Sequence, residues 1–322
     1  MTSEFNLIAR YFTRPPRADG PVLLGVGDDG ALLNPPAGET LVVSTDMLVE
    51  GRHFFADADP EALGHKSLAV NLSDLAAMGA RPLGFTLALA LPSADEHWLA
   101  AFSRGLFSLA DTQGIELIGG DTTRGPLNIC ITVFGSVPAQ QALRRDGAAA
   151  GDDVWVSGTL GDARLALEAL RNSLALPPAD VETASSRLHR PTPRGALGLA
   201  LRGLASATID VSDGLLGDLA HIIERSAVGA VIDADALPVG KVLATQPVEL
   251  KREFALNGGD DYELCFTAPV ARRAAVQALA SETGIAVTRI GHITSESGLQ
   301  ITDANGHAIT TSSRSFDHFA SP

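Results

Sequence analysis

Apolar positions between residues 59 and 82 recur with the period of a helix. Placed at about 100° per residue, Leu68, Leu72, Leu75, Ala76 and Gly79 fall on one narrow stripe, and Ser67, Asn71 and Asp74 form a row beside it. Asp59 suits the N-cap, Pro60 the first helical position, and Gly79 followed by Pro82 the end. A row of polar groups therefore borders the predicted core. A carboxylate there needs a partner, because an unpaired buried charge is costly and otherwise takes up a proton. The pattern predicts either a cation opposite Asp74 or a helix rotated from this register.

Around this helix the pattern alternates between short strands and amphipathic segments. A helix over 4–12 is followed by a loop at Pro15, Pro16 and Pro21, then a strand over 22–26. That strand runs into Gly25-Val26-Gly27-Asp28-Asp29-Gly30, which formally matches the G-x-G-x-x-G dinucleotide pattern. A dinucleotide fold needs a helix opening at the last glycine, whereas Pro35 and Pro36 follow at once and 41–45 reads as the next strand. The segment therefore reads as strand, turn, strand, with Asp28 and Asp29 at the bend. A strand over 83–91, a helix over 94–113, a strand from Ile115 into Gly119-Gly120-Asp121 and a strand over 128–137 complete the first part.

Residues 138–151 read as a connection, which sets expected domains of 1–143 and 144–322. The second begins with a strand over 154–157 and helices over 163–172 and 196–204. A short strand over 207–209 delivers Asp210-Val211-Ser212-Asp213-Gly214 to a helix over 215–225. Later come Asn257-Gly258-Gly259-Asp260-Asp261-Tyr262-Glu263, a strand over 264–267, a helix to Glu282 and a C-terminal hairpin turning at 303–306.

Composition narrows the function classes. With 322 residues, 45% apolar and 19% charged, the chain can build two globular cores. A net charge of −14 excludes a nucleic-acid binder, which needs a basic stripe, but not a phosphate binder that uses divalent metal. Cys130 and Cys265 lie in apolar strand-like segments and read as small core residues of a reducing compartment. The opening MTSEFNLIARYF lacks signal-peptide order, and no apolar run approaches the ~20 residues that span a bilayer. A cytoplasmic location without a membrane partner is expected.

One chemical motif recurs, in which a strand or loop leads through Gly, Ser or Thr to aspartate. It occurs at Asp28 and Asp29, at Ser44-Thr45-Asp46, at Asp121, at Asp210 and Asp213, and at Asp260 and Asp261, with Asp74 on the helix. Carboxylate and hydroxyl oxygens are the hard ligands preferred by Mg²⁺ or Ca²⁺, and no His or Cys set suggests zinc. Gly151-Asp152-Asp153, which only introduces a strand, reads as a turn. P-loop, protein-kinase and EF-hand signatures are missing, so Lys66 reads as a helix-surface charge. Ser212 has no nucleophile-elbow context, and His53 alone reads as a loop histidine.

Together, GVGDDGALL, STDMLVEGRHF, KSLAVNLSDLAAMGARP, GGDTTRG, DVSDGLLGDL and GGDDYELCF resemble the thiamine-monophosphate kinases, relatives of aminoimidazole ribonucleotide synthetase. The resemblance covers essentially the whole chain, with the motifs in the family's order and spacing. It implies an α+β fold whose N-terminal domain dimerises through its sheet and whose C-terminal domain is α/β. It also implies ATP held by several Mg²⁺ ions, with phosphoryl transfer to thiamine monophosphate. Carried over, Asp29, Ser44, Thr45, Asp46, Asp74, Asp121, Asp210 and Asp213 match metal-binding positions, with Asp46, Asp74, Asp121 and Asp213 at the catalytic centre. Gly120, Arg145 and Ser212 match nucleotide positions, and His53, Asp260 and Phe316 match the acceptor site. The family pattern leads us to expect Glu at Asp260 and Tyr or Trp at Phe316. Two other readings stand beside it: a ligase or cyclase of the same superfamily, and a non-catalytic domain that binds divalent cations.

Overall fold

The computed structural model describes residues 4–310. They divide into a first unit, Met1–Leu75 with Ala80–Gln140, and a second, Ala76–Gly79 with Gln141–Pro322.

In the first unit, α1 (Glu4–Tyr11) precedes an antiparallel ribbon of β1 (Val22–Leu24) and β2 (Leu32–Leu33). There follow β3 (Glu39–Val49), α2 (Pro60–Ala77), β4 (Arg81–Leu91), α3 (Glu96–Gln113), β5 (Glu116–Arg124) and β6 (Asn128–Pro138). The long strands form one sheet in the order β3-β6-β4-β5, antiparallel except for β4 and β5, which α3 connects as a parallel crossover. Asp95 caps α3 by accepting the His97 and Trp98 N–H groups, and Gly114 ends it in a left-handed conformation.

Helix α2 starts as its sequence predicts, with the Ala62 N–H donating to Asp59 Oδ1 at 2.7 Å. It ends with Gly79 at φ 62° and the Ala80 N–H on the Leu75 carbonyl. Its burial departs from the single stripe, because Ala69, Val70 and Ser73 are buried along with Leu68, Leu72 and Leu75. Lys66, expected at the surface, is only 4% exposed. Leu75 meets β6 at Gly135, while Gly64 and Gly105 let α2 and α3 approach until any Cβ would strike the other backbone.

The second unit contains β7 (Asp153–Ser157), α4 (Asp162–Leu170), α5 (Pro178–His189), α6 (Gly195–Ala200), β8 (Ala207–Val211), α7 (Leu215–Ser226) and β9 (Gly229–Asp233). After these come α8 (Lys241–Ala244), α9 (Val248–Asn257), β10 (Glu263–Ala268), α10 (Arg273–Thr283), β11 (Val287–Thr294) and β12 (Gly298–Thr302). Six strands form a mixed sheet in the order β12-β9-β11-β7-β10-β8. Val154, Val156, Ile209, Val211, Ile232 and Cys265 join one core with Leu219 and Ile222 of α7. Trp155, Leu264 and Phe266 enter a second core with Leu197, Leu201 and Val276. The helices α5, α8 and α9 and the strands β9 and β11 here, like β2 in the first unit, were not expected from the sequence. The expected C-terminal turn at 303–306 is present, closed by Asp303 and His307.

Gly151 adopts a turn conformation at φ 94°, but the following carboxylates are buried. Asp152 accepts from Ser206, and Asp153 pairs with Arg273 and Arg289. Cys265 is buried as expected, whereas Cys130 is half-buried. On β3, Leu41, Val43, Met47 and Val49 project to one face and remain 36–56% exposed. No helix among the described residues is long and apolar enough to cross a membrane.

Candidate functional site

In the first unit the pleat of β3 sends Ser44 and Asp46 to the same face and Thr45 to the other. The Ser44 hydroxyl donates to Asp74 Oδ2 on α2, and the Asp46 N–H donates to Asn71 Oδ1 at 3.0 Å. Asn71 Nδ2 in turn donates to the Ser67 carbonyl at 3.0 Å, and the Ser67 hydroxyl to Leu63 at 2.7 Å. The polar row of α2 is thus tied both to its own backbone and to β3. Asp74 is half-buried, and the Ser44 hydroxyl is one of its partners. Thr45 is not brought to this node, since its hydroxyl shares a hydrogen bond with Thr132 at 2.8 Å on the opposite face.

Asp28 and Asp29 lie at an exposed bend as expected, but the strand that follows it is the unforeseen β2, not the strand over 41–45, and the Asp29 N–H donates to Asp28 Oδ1. Asp121 stands on β5, the sheet edge opposite β3, beside Ala88 of β4. That edge lies three strand spacings from β3, or about 14 Å along the sheet. Gly120 has φ 147°, and a Cβ there would fall 1.9 Å from the Leu87 carbonyl oxygen, so only glycine fits. His53 lies in the turn after β3, where its Nδ1 accepts the Val49 N–H at 3.0 Å. A neutral His53 therefore carries its proton on Nε2.

In the second unit β8 ends at the predicted acidic loop. Asp210 is buried on β8, Ser212 is half-buried and Asp213 exposed. Asp218, in the first turn of α7, fixes this loop by accepting the Ser212 and Asp213 N–H groups at 3.0 and 3.1 Å. Burial pushes the Asp218 carboxyl up to about 7, with the charge of Asp213 adding to the shift. The segment carrying Arg145 lies along β8, since the Thr208 N–H donates to the Arg144 carbonyl at 2.8 Å. The Arg145 side chain is exposed, and its carbonyl accepts from Ser226.

Asp260 sits in the loop before β10. Its N–H donates to the Ser212 carbonyl at 2.8 Å, joining two of the predicted segments. Just beyond, Glu263 is fully buried and takes Arg187, Arg194 and Ser157 on its two oxygens. Asp218 and Glu263 are buried carboxylates that the sequence did not single out, whereas Asp261 belongs to the recurring aspartate motif. They stand in the motifs DVSDGLLGDL and GGDDYELCF, but their partners are backbone groups or distant arginines. Among the described residues no three His, Cys, Asp or Glu converge closely enough to hold a metal ion. Phe316 lies outside the described residues.

Comparison with known proteins decides the family. Residues 27–137 match the model for the AIR synthase related protein N-terminal domain, and residues 149–304 that for its C-terminal domain. The thiamine-monophosphate kinase of Salmonella typhimurium is 48% identical over 322 residues, covering 99% of each chain. The chain belongs to the thiamine-monophosphate kinase family. Like its family it is an α+β enzyme, a kinase. The crystal structure of thiamine-monophosphate kinase from Stenotrophomonas maltophilia K279a superposes with a TM-score of 0.85 at 52% identity, covering 91% of this chain and 93% of that one. AaThiL complexed with AMPPCP and TMP gives 0.77 at 31% identity, covering 91% and 92%.

Proposed function

We propose that this kinase transfers the terminal phosphoryl group of ATP to thiamine monophosphate, giving ADP and thiamine diphosphate. The observation that carries the reading is likeness along the whole chain to thiamine-monophosphate kinases, one of them described as complexed with AMPPCP and TMP. Gly120, Arg145 and Ser212 are assigned to the nucleotide, and His53, Asp260 and Phe316 to the acceptor. Nε2 is the end of His53 that can donate to a phosphate, because Nδ1 is engaged by Val49.

The donor set fits Mg²⁺. Ser44, Asp46 and Asp74 present hard oxygens around one strand and helix, and no His or Cys competes among the assigned positions. In the first unit Asp29, Ser44, Asp46, Asp74 and Asp121 would hold ions, while the Thr45 side chain faces away; in the second unit Asp210 and Asp213 would do so. Mg²⁺ is commonly bound by one or two carboxylates with phosphate oxygens and water, so a closed protein cage is not required. The span from β3 to β5 suits several ions along a polyphosphate better than a single ion. When bound, Mg²⁺ neutralises phosphate charge and favours in-line displacement.

The acceptor oxygen is already ionised at neutral pH, so the protein needs no strong general base. Its residues align two anions and hold the carboxylates in place. Asn71 and Ser44 orient the β3–α2 pair, and Asp218 orients the loop of Ser212 and Asp213. Transfer is direct, without a phosphoenzyme.

The open face of β3, with Leu41, Val43, Met47 and Val49, is assigned to a homodimer contact, since exposed apolar faces of this kind mark association sites. Unpaired Cys130 and Cys265, together with the need for ATP, support a cytoplasmic location. Purified protein incubated with Mg-ATP and either thiamine monophosphate or free thiamine tests the reading by chromatography. Thiamine diphosphate from the monophosphate alone is expected. Absence of product from a folded, nucleotide-binding protein would move the acceptor to another member of the superfamily.

A further inference from the structure

The loop between α9 and β10 is held in a conformation that its residues do not favour. Asp260 and Tyr262 both have positive φ, 68° and 51°, a region disfavoured for residues with a Cβ unless the surroundings enforce it. Between them Asp261 turns inward and is 1% exposed. Its Oδ2 accepts the Gly161 N–H at 2.7 Å, across 100 residues of sequence, at the turn that opens α4. Its Oδ1 is buried with no hydrogen-bond partner.

The two flanking residues face other tasks. The Asp260 and Tyr262 N–H groups donate to the Ser212 and Val211 carbonyls, each at 2.8 Å, and the Tyr262 hydroxyl donates to Asp260 Oδ1 at 3.2 Å. Arg187 donates to the Asp261 carbonyl at 3.1 Å. The loop is therefore pinned on one side to the segment of Ser212 and Asp213. On the other side the Asp261 carboxyl ties it to the Gly161 turn, and Arg187 holds the Asp261 carbonyl.

We propose that Asp261 is a positioning residue for the acceptor: its buried carboxyl latches the left-handed loop 260–262 to the Gly161 turn and presets the orientation of Asp260. The proposal rests on the assignment of Asp260 to the acceptor site made above. Burial raises the Asp261 carboxyl well above the usual range, and a neutral group suits an oxygen that has no partner. Glu263, two residues on, is saturated by two arginines and a serine and serves the strand itself. Asp261 spends one oxygen on a single N–H, so its loss frees the loop before it frees the sheet.

The test uses the full-length protein, varying thiamine monophosphate and Mg-ATP separately. In Asp261→Asn the amide oxygen still accepts from Gly161, and the KM for thiamine monophosphate stays within about threefold of wild type. In Asp261→Ala that KM rises at least about tenfold, while the KM for ATP changes less than about twofold. Equal rises in both KM values, or an Asn variant as impaired as the Ala variant, would overturn the latch.

A second measurement does not depend on variants that fold. Amide hydrogen exchange in the acceptor-free wild type should show Asp260 and Tyr262 protected to the same degree as with acceptor present. Fast exchange that slows only on adding acceptor would overturn a preset loop. If the wild type makes no thiamine diphosphate, the acceptor assignment fails on its own, and the exchange result still decides whether the latch exists.

Discussion

Ser44 on β3 and Asp74 on α2 are joined side chain to side chain, with the hydroxyl donating to Oδ2. The contact fixes a half-buried carboxylate at the boundary between helix and sheet, one strand position pair from Asp46. Asp74→Asn keeps the shape and one acceptor oxygen but removes the charge. Turnover should fall by about a hundredfold or more, by analogy with other lost electrostatic contacts to a reacting phosphoryl group. Steady-state kinetics on protein with an unchanged circular dichroism spectrum checks this. Near-normal kcat would remove Asp74 from the site.

Glu263 is a stability element. It has 0% side-chain exposure, and its arginine partners are 19% and 13% exposed, so removing its charge leaves two poorly solvated cations uncompensated. Glu263→Gln should cost about 3–5 kcal/mol, read as a lower urea midpoint. An unchanged midpoint would contradict the role of this network.

The pair of Asp153 with Arg273 and Arg289 makes a pH-dependent contribution. Burial alone would raise the Asp153 carboxyl, but the hydrogen bonds and charge of Arg273, helped by Arg289, hold it below the usual range. An acid with a lowered folded pKa stabilises fully above its unfolded value near pH ~4 and loses that contribution as pH falls through the folded value. The stability gap between wild type and Asp153→Asn should therefore be constant at neutral pH and shrink below pH ~4. Urea midpoints across that range provide the check, and a gap that widens on acidification would contradict the pairing.

The exposed row on β3 makes a prediction about assembly. Val43 and Met47 are 56% and 53% exposed on the same face. Replacing both with Glu should place charges on the assigned dimer contact and halve the mass found by sedimentation equilibrium. A wild-type monomer at micromolar concentration, or a variant that stays dimeric, would refute the contact.

Much of α2 was legible because local rules act within a few residues: Asp59 caps, Pro60 opens and Gly79 closes. The burial of Lys66 was not, nor was the close approach of α2 to α3 at Gly64 and Gly105, which depends on contacts that only folding makes. Helix α5 buries only Ala184 and Leu188, too few for a clear period, and β9 is a short internal strand without alternation. For the candidate site, the recurring Gly-Asp segments were legible as local motifs, strand or loop leading to aspartate. The roles of Asp218, Asp261 and Glu263 depend on backbone N–H groups and on Arg187 and Arg194, partners that only folding brings together.

The central claim is direct transfer from ATP to thiamine monophosphate. Its most direct test is a quenched time course on purified protein in which ADP, thiamine diphosphate and protein-bound phosphate are measured together. ADP and thiamine diphosphate should appear one for one, only with acceptor present, and with no phosphate on the protein. ADP released without acceptor, or a phosphorylated aspartate that forms and decays within turnover, would contradict it.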